Sequence, residues 1–174
     1  IKAPESFKIE QELRDKMNIP VMHDDQHGTA IISSAALINA LEINGKKIDE
    51  ITIVVSGAGA AAIACTDLYV SLGAKAENVV MTDSKGVVKK SRTNLDETKA
   101  RYATHREEVD TLEDALVGAD VFLGLSIGSI LKPATLKKMA KDPIVFALSN
   151  PDPEIAYDLA MKTRDDIIMA TGRS

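Results

Sequence analysis

The chain has 174 residues, 45% apolar and 27% charged, with a net charge of −5 and a single cysteine. That is an ordinary folded domain with room for a sizeable core. It excludes an internal disulfide framework, a basic nucleic-acid-binding face, since Lys and Arg are interspersed with Asp and Glu, and a membrane span, since no apolar run nears roughly 20 residues.

Residues 1–18 form a lead-in segment with a short charged helix over 8–17. Residues 19–23, Ile-Pro-Val-Met-His, read as extended and run into Asp24-Asp25-Gln26-His27-Gly28-Thr29. Residues 30–43 are apolar nearly all round, which predicts a helix buried against a sheet, stopped by Asn44-Gly45. The β-branched run 51–55 suits a strand buried on both faces. A glycine loop over 56–62 opens an apolar helix to Gly73, and a second strand over 79–83 ends in Asp83. Residues 87–93 read as polar and irregular, and 95–108 as a charged surface helix. Thr111 is expected to cap a short helix that ends at Gly118. Strands at 120–124, 143–148 and 167–170 alternate with helices at 133–140, where Pro133 sits near the first turn, and at 155–161. The alternation predicts an α/β fold, Rossmann-like and doubly wound, with a mainly parallel sheet and helices on both faces. Both ends, Ile1 and the stop just after Gly172-Arg173-Ser174, read as edges of an excised piece. No signal peptide is visible, and with one cysteine the expected setting is cytoplasmic.

Ser56-Gly57-Ala58-Gly59-Ala60-Ala61-Ala62 is a GxGxxA pattern between a strand and a helix. Gly57 allows the sharp turn, Gly59 lets a phosphate approach the backbone, and Ala62 lets the helix pack tightly on the strand. The helix N-terminus offers N–H groups and a positive dipole end to a pyrophosphate. Asp83, at the next strand end, suits a ribose hydroxyl. Lys85, Lys89, Lys90, Arg92 and Lys99 follow it closely, and they read either as acceptors of a 2′-phosphate or as solvated surface charge. In an open α/β sheet the carboxyl ends of the strands line the crevice, so the loops at Gly57, Asp83, Ser126, Asn150 and Gly172 are expected to converge on one cofactor.

The string 23–29 sets two carboxylates between two histidines. Asp24 and Asp25 suit a hard cation, Mg²⁺ or Mn²⁺, and equally suit capping of the helix that follows. Asn150 reads as an amide contact to a cofactor ribose or small acid, or as a turn residue ahead of Pro151. Ser126 reads as a loop serine unless its strand-end position brings it to the cofactor. Cys65 reads as a small core residue and His105 as solvated.

Residues 19–30, from Ile19 through Asp24 and Asp25 to Ala30, resemble the signature of bacterial-type malic enzymes. The strings at 56–62, at 146–151 (Phe-Ala-Leu-Ser-Asn-Pro) and at 170–174 (Ala-Thr-Gly-Arg-Ser) fall in that family's order and spacing. The resemblance covers essentially the whole chain as the NAD(P)-binding domain of such an enzyme. It implies oxidative decarboxylation of L-malate to pyruvate and CO₂ with NADP or NAD and Mg²⁺ or Mn²⁺. It implies Asp25 as a metal ligand, Asp24 as the neighbour of a catalytic lysine that lies elsewhere, and Thr29 near the nicotinamide. It further implies Ala58, Gly59, Ala60 and Ala61 around the pyrophosphate, and Asn150 against cofactor and malate. Ser84 with Lys99 resembles the arrangement of NADP-preferring relatives, whereas Lys90-Ser91-Arg92 departs from a common Lys-Gly-Arg. The family's Glu-Asp metal pair falls just before Ile1, its acid tyrosine and base lysine in an N-terminal domain, and its paired asparagines after Ser174. The expected partners are therefore the remainder of the enzyme chain and, in the full-length enzyme, further copies in a homo-oligomer. The piece alone is expected to be inactive. Two other readings remain: another NAD(P)-dependent dehydrogenase sharing only this domain, and a non-catalytic dinucleotide-binding module.

Overall fold

Ile53–Ser56, Val121–Gly124 and Ile144–Ala147 are buried at every position. Aliphatic runs of this kind form the centre of a parallel sheet covered on both faces. The computed structural model describes residues 5–93 and 95–172. In chain order it contains α1 (Glu5–Lys16), α2 (Asp24–Asn44), β1 (Ile53–Ser56), α3 (Ala60–Ser71), β2 (Val79–Asp83), β3 (Gly86–Val87), α4 (Glu97–Ala100), α5 (Leu112–Ala115), β4 (Val121–Gly124), α6 (Pro133–Leu136), β5 (Ile144–Ala147), α7 (Tyr157–Thr163) and β6 (Ile168–Thr171).

The strands form one six-stranded sheet in the order β3-β2-β1-β4-β5-β6. All neighbours are parallel except the short edge strand β3, which runs antiparallel to β2. The chain winds outward from β1 to β3, then returns to start again at β4 beside β1. The strand order therefore reverses between β1 and β4, and there a crevice opens at the carboxyl ends. Side chains alternate across the sheet. Ile53, Val55, Met81, Leu123 and Phe146 join α2 and α3 in one core. Val54, Val80, Phe122 and Val145 join α5, α6 and α7 in the other.

Several elements differ from the sequence reading. Helix α1 begins at Glu5 rather than residue 8. Helix α2 begins at Asp24, six residues before the expected start, and its N-cap is His23 with no side-chain cap, so neither Asp24 nor Asp25 serves as the cap. The two carboxylates lie inside the first turn, where the positive end of the helix dipole favours them. Helix α2 packs chiefly on α3 rather than on the sheet. Its small residues Ala30, Ser33, Ser34 and Ala40 are buried, while Ile31, Ile32, Ile38 and Ile43 stay exposed.

The helix expected over 95–108 is the single turn α4, because Tyr102, Ala103 and Thr104 turn inward and are buried. Thr104 donates its N–H to the Val88 carbonyl and accepts from the Lys90 N–H, so this stretch pairs beside the sheet edge. Residues 87 and 88, expected to be irregular, are buried there, and Val87 belongs to β3. Helix α6 stops at Leu136, where the Arg164 guanidinium collects the carbonyls of Leu136, Met139 and Ala140. Helix α7 runs from Tyr157 to Thr163 rather than over 155–161, because Ile155 is buried in the core ahead of it.

Candidate functional site

Gly57 has φ +117°, and a Cβ there would lie 2.7 Å from the Leu125 carbonyl oxygen. Only glycine meets both demands at low cost. The turn lets the Gly57 N–H donate to Thr82 O at 2.9 Å and carries the chain across the top of β2. Gly59 caps α3, and nothing lies within 4 Å of where its Cβ would stand. That open volume sits over the first turn of α3, whose leading N–H groups have no partner within the helix. Ala62 is buried between α3 and the sheet. The cradle thus has the shape and the partial charge that a pyrophosphate requires.

Two clefts meet at this loop. The first, about 470 Å³, is lined by Gly57, Ala58, Gly59, Asp83, Ser84, Lys99 and Ser126 among others. The second, about 750 Å³, is lined by Asp25, Thr29, Gly59, Ala60, Ala61, Ala62, Ser126, Asn150, Thr171 and Gly172 among others. Gly59 and Ser126 border both, so the clefts are two halves of one crevice. The first lies over the end of β2 and the second over the ends of β4, β5 and β6. The loops at Gly57, Asp83, Ser126, Asn150 and Gly172 all border this crevice. Arg173 and Ser174 lie outside the described residues.

Of the bases that follow Asp83, Arg92 and Lys99 reach its carboxylate, whereas Lys89 pairs with Asp110. Arg92 donates to both Asp83 oxygens, at 3.0 and 2.9 Å. The Lys85 N–H donates to Oδ1 at 2.9 Å, and Lys99 Nζ stands 3.7 Å from Oδ2. Burial pushes the carboxyl pKa up, but the Arg92 and Lys85 hydrogen bonds and the charges of Arg92 and Lys99 outweigh it, and the net shift is downward. Asp83 is therefore ionised and already engaged by cations, which the reading of a free ribose acceptor did not include.

The acidic turn is fixed by Glu10 of α1. Its buried carboxylate accepts the His23 N–H at 3.1 Å and the Gln26 amide at 3.0 Å, and it stands 2.8 Å from His27 Nε2. The Gln26 amide also lies 2.8 Å from His23 Nδ1. With the backbone held, Asp25 projects into the second cleft with 84% of its side chain exposed. Asp24 points elsewhere and does not line that cleft. Its carboxylate folds back over Gly28, where a Cβ would lie 2.1 Å from Oδ1. Among the described residues no three His, Cys, Asp or Glu side chains group to hold a metal, so Asp25 stands as a lone carboxylate donor of the type hard cations take.

Cys65 is fully buried, and burial pushes its thiol up to about 11 against a weaker opposing bond from Ser33. It is a core residue, as read. His105 is exposed, also as read. The sequence reading missed Glu10 and Glu154 and did not foresee that Arg92 would hold Asp83. Glu154 had a usable signal, lying four residues past Asn150 and close behind a strand end. Glu10 had none, because its partners are 13 to 17 residues away.

A doubly wound sheet whose switch point carries a glycine turn, a helix N-terminus and two joined clefts defines a dinucleotide-binding α/β domain. The family described as "Malic enzyme, NAD binding domain" matches residues 26–174. The chain belongs to the malic enzyme family. It is 55% identical over its whole length to the NADP-dependent malic enzyme of Escherichia coli K12, covering 23% of that protein. It is 54% identical, again over its whole length, to the NAD-dependent malic enzyme of Rhizobium meliloti 1021, also covering 23%. It superposes with a TM-score of 0.92 on the NAD-dependent malic enzyme of Thermotoga maritima, at 46% identity and covering 47% of that chain. The chain thus spans less than half the length of each of these relatives.

Proposed function

We propose that this chain is the cofactor-binding part of an enzyme that oxidises and decarboxylates L-malate to pyruvate and CO₂ while reducing NAD(P). The observation that carries the reading is that Asp25, Thr29, Asn150 and the loop at Gly59–Ala62 border one cleft. A dinucleotide lying along the crevice would rest its adenosine half against Ser84 and Lys99 and its pyrophosphate on the Gly59 cradle. Its nicotinamide would then lie between Thr29 and Asn150. The Asn150 amide suits both the cofactor ribose and a malate oxygen. Asp25 suits one position of a bound Mg²⁺ or Mn²⁺, with the other protein ligands coming from elsewhere in the enzyme. When bound, such an ion supplies Lewis-acid stabilisation to a developing ketone and enolate. Asp24, turned away from the cleft, suits pairing with a lysine from the rest of the enzyme.

The cofactor we propose is NADP. Arg92 neutralises Asp83, which would otherwise repel a 2′-phosphate, and Ser84 and Lys99 stand at the cleft to receive one. The family supports either cofactor, since close relatives carry both descriptions. The decisive experiment is steady-state kinetics of the full-length enzyme with L-malate, with and without Mn²⁺, using both cofactors. The expected result is cation-dependent NADPH formation that exceeds NADH formation. Turnover of an amino acid or another 2-hydroxy acid in place of malate would favour a different dehydrogenase built on the same domain. Dinucleotide binding without turnover of any substrate would make the chain a binding module.

A further inference from the structure

Glu154 is fully buried, and no Lys or Arg pairs with it among the described residues. A carboxylate in such a place is costly unless its oxygens are satisfied. They are satisfied by two backbone donors on different loops. Oε1 accepts the Ser126 N–H at 3.1 Å, and Oε2 accepts the Ser149 N–H at 3.1 Å. Ser126 follows β4, and Ser149 follows β5 and precedes Asn150. Room for the carboxylate comes from Gly124 at the end of β4, where a Cβ would lie 2.3 Å from Glu154 Cδ.

Resting on the cofactor reading above, we propose that Glu154 is a positioning residue for the nicotinamide half of the crevice. Ser126 borders both clefts, and Ser149 and Asn150 border the second. One side chain therefore sets the spacing between the two loops that would hold the nicotinamide ribose and the substrate. It also reaches the glycine loop at one remove, because Ser126 Oγ lies 2.8 Å from Ser56 Oγ at the end of β1. The loops do not need Glu154 merely to stay together. Ser129 N–H donates to Pro153 O at 3.0 Å, and Leu131 N–H donates to Glu154 O at 2.9 Å. Those backbone bonds survive any change of side chain at 154. What the carboxylate adds is the placement of Ser126 and Ser149, both of which line the second cleft. Neither residue contributes to the adenosine pocket around Asp83 and Lys99 except where Ser126 touches its rim.

Position 154 is tested in the full-length enzyme with Glu154→Gln and Glu154→Asp, titrating NADPH, NADH and ADP separately. Glutamine keeps one acceptor oxygen and turns an NH₂ group toward the second N–H donor, so one clamp is lost. The expected result is a weakening of dinucleotide binding by about tenfold. ADP, which carries adenosine and pyrophosphate but no nicotinamide, should bind within about twofold of wild type, because its half of the crevice meets the clamp only through Ser126 at the rim. Glu154→Asp, which keeps the charge but shortens the reach, should fall between. Equal loss of ADP and dinucleotide affinity, or failure of both variants to fold, makes Glu154 a residue of the fold alone and overturns the proposal. Unchanged dinucleotide affinity in Glu154→Gln overturns it while leaving the cofactor reading intact. A wild-type enzyme that binds no dinucleotide overturns both.

Discussion

Arg92 grips Asp83 through two parallel hydrogen bonds, Nη1 to Oδ1 at 3.0 Å and Nη2 to Oδ2 at 2.9 Å. The pair is three-quarters or more shielded from solvent, with side-chain exposures of 17% and 12%. Bidentate arginine–carboxylate pairs are among the stronger charge-assisted contacts. Here the pair sits at the carboxyl end of β2, and with the cofactor placed as proposed above the balance of charge beside the ribose 2′ position depends on it. Arg92→Gln leaves Asp83 with Lys99 as its nearest cation. The expected outcome is a rise of about tenfold in KM for NADP, with KM for NAD changed by less than about twofold. Lys99→Gln should act in the same direction. Steady-state kinetics with each cofactor checks both.

The two glycines of the loop should respond in opposite ways. Gly57→Ala forces a side chain onto a φ of +117° and against the Leu125 carbonyl. A cost of about 1–3 kcal/mol is expected, seen as a melting temperature lower by several degrees. Gly59→Ala meets open space, so the fold should keep its melting temperature within a degree or two. The new methyl group stands in the cradle instead, and dinucleotide affinity should fall by at least about tenfold. Thermal melts paired with NADPH titrations separate the two effects.

Acid stability should carry the mark of Asp166. Hydrogen bonds from Arg164, against an opposing effect of burial and with help from the Asp142 N–H, lower its pKa to about 2 from 3.8. A carboxylate depressed by folding adds stability above its unfolded pKa and loses it as pH falls through the folded value. The window is therefore about pH 4 down to 2, with Asp83 contributing in the same direction. Asp166→Asn should flatten the decline of melting temperature over that window and lower stability near neutrality. It also removes the partner that orients Arg164 on the carbonyls of Leu136, Met139 and Ala140.

Cys65 should be inert in the native protein. Its thiol is fully buried and held near 11, so almost none is thiolate at pH 8. Iodoacetamide at pH 8 should leave it unmodified until denaturant is added, as read by mass spectrometry.

The sheet was legible because each central strand is a short aliphatic run bounded by Gly, Ser, Asn or Asp, and the glycine loop marks its own strand and helix. What the sequence hid was set by contacts distant along the chain. The start of α2 depends on Glu10, which takes the His23 N–H from the preceding helix. The stretch after α4 looked helical by composition, yet Thr104 pairs with Val88 and Lys90 at the sheet edge, and tertiary pairing overrode local propensity. The apolar residues of α2 suggested burial all round, but its packed face is Ala30, Ser33, Leu37, Ala40 and Leu41, and Ile31, Ile32, Ile38 and Ile43 stay exposed. At the site, Asp25, Asn150 and the glycine loop were readable as separate signals. Arg92 on Asp83 was not, since a string of nearby lysines and one arginine does not say which of them the carboxylate selects.

The proposed role of Asp25 bears on the central claim most directly, because it ties the acidic turn to the chemistry of malate. In the full-length enzyme, Asp25→Ala should abolish Mn²⁺-dependent conversion of malate while NADPH still binds, since Asp25 does not line the cleft around Asp83, Ser84 and Lys99. Unchanged malate turnover in Asp25→Ala would contradict the account.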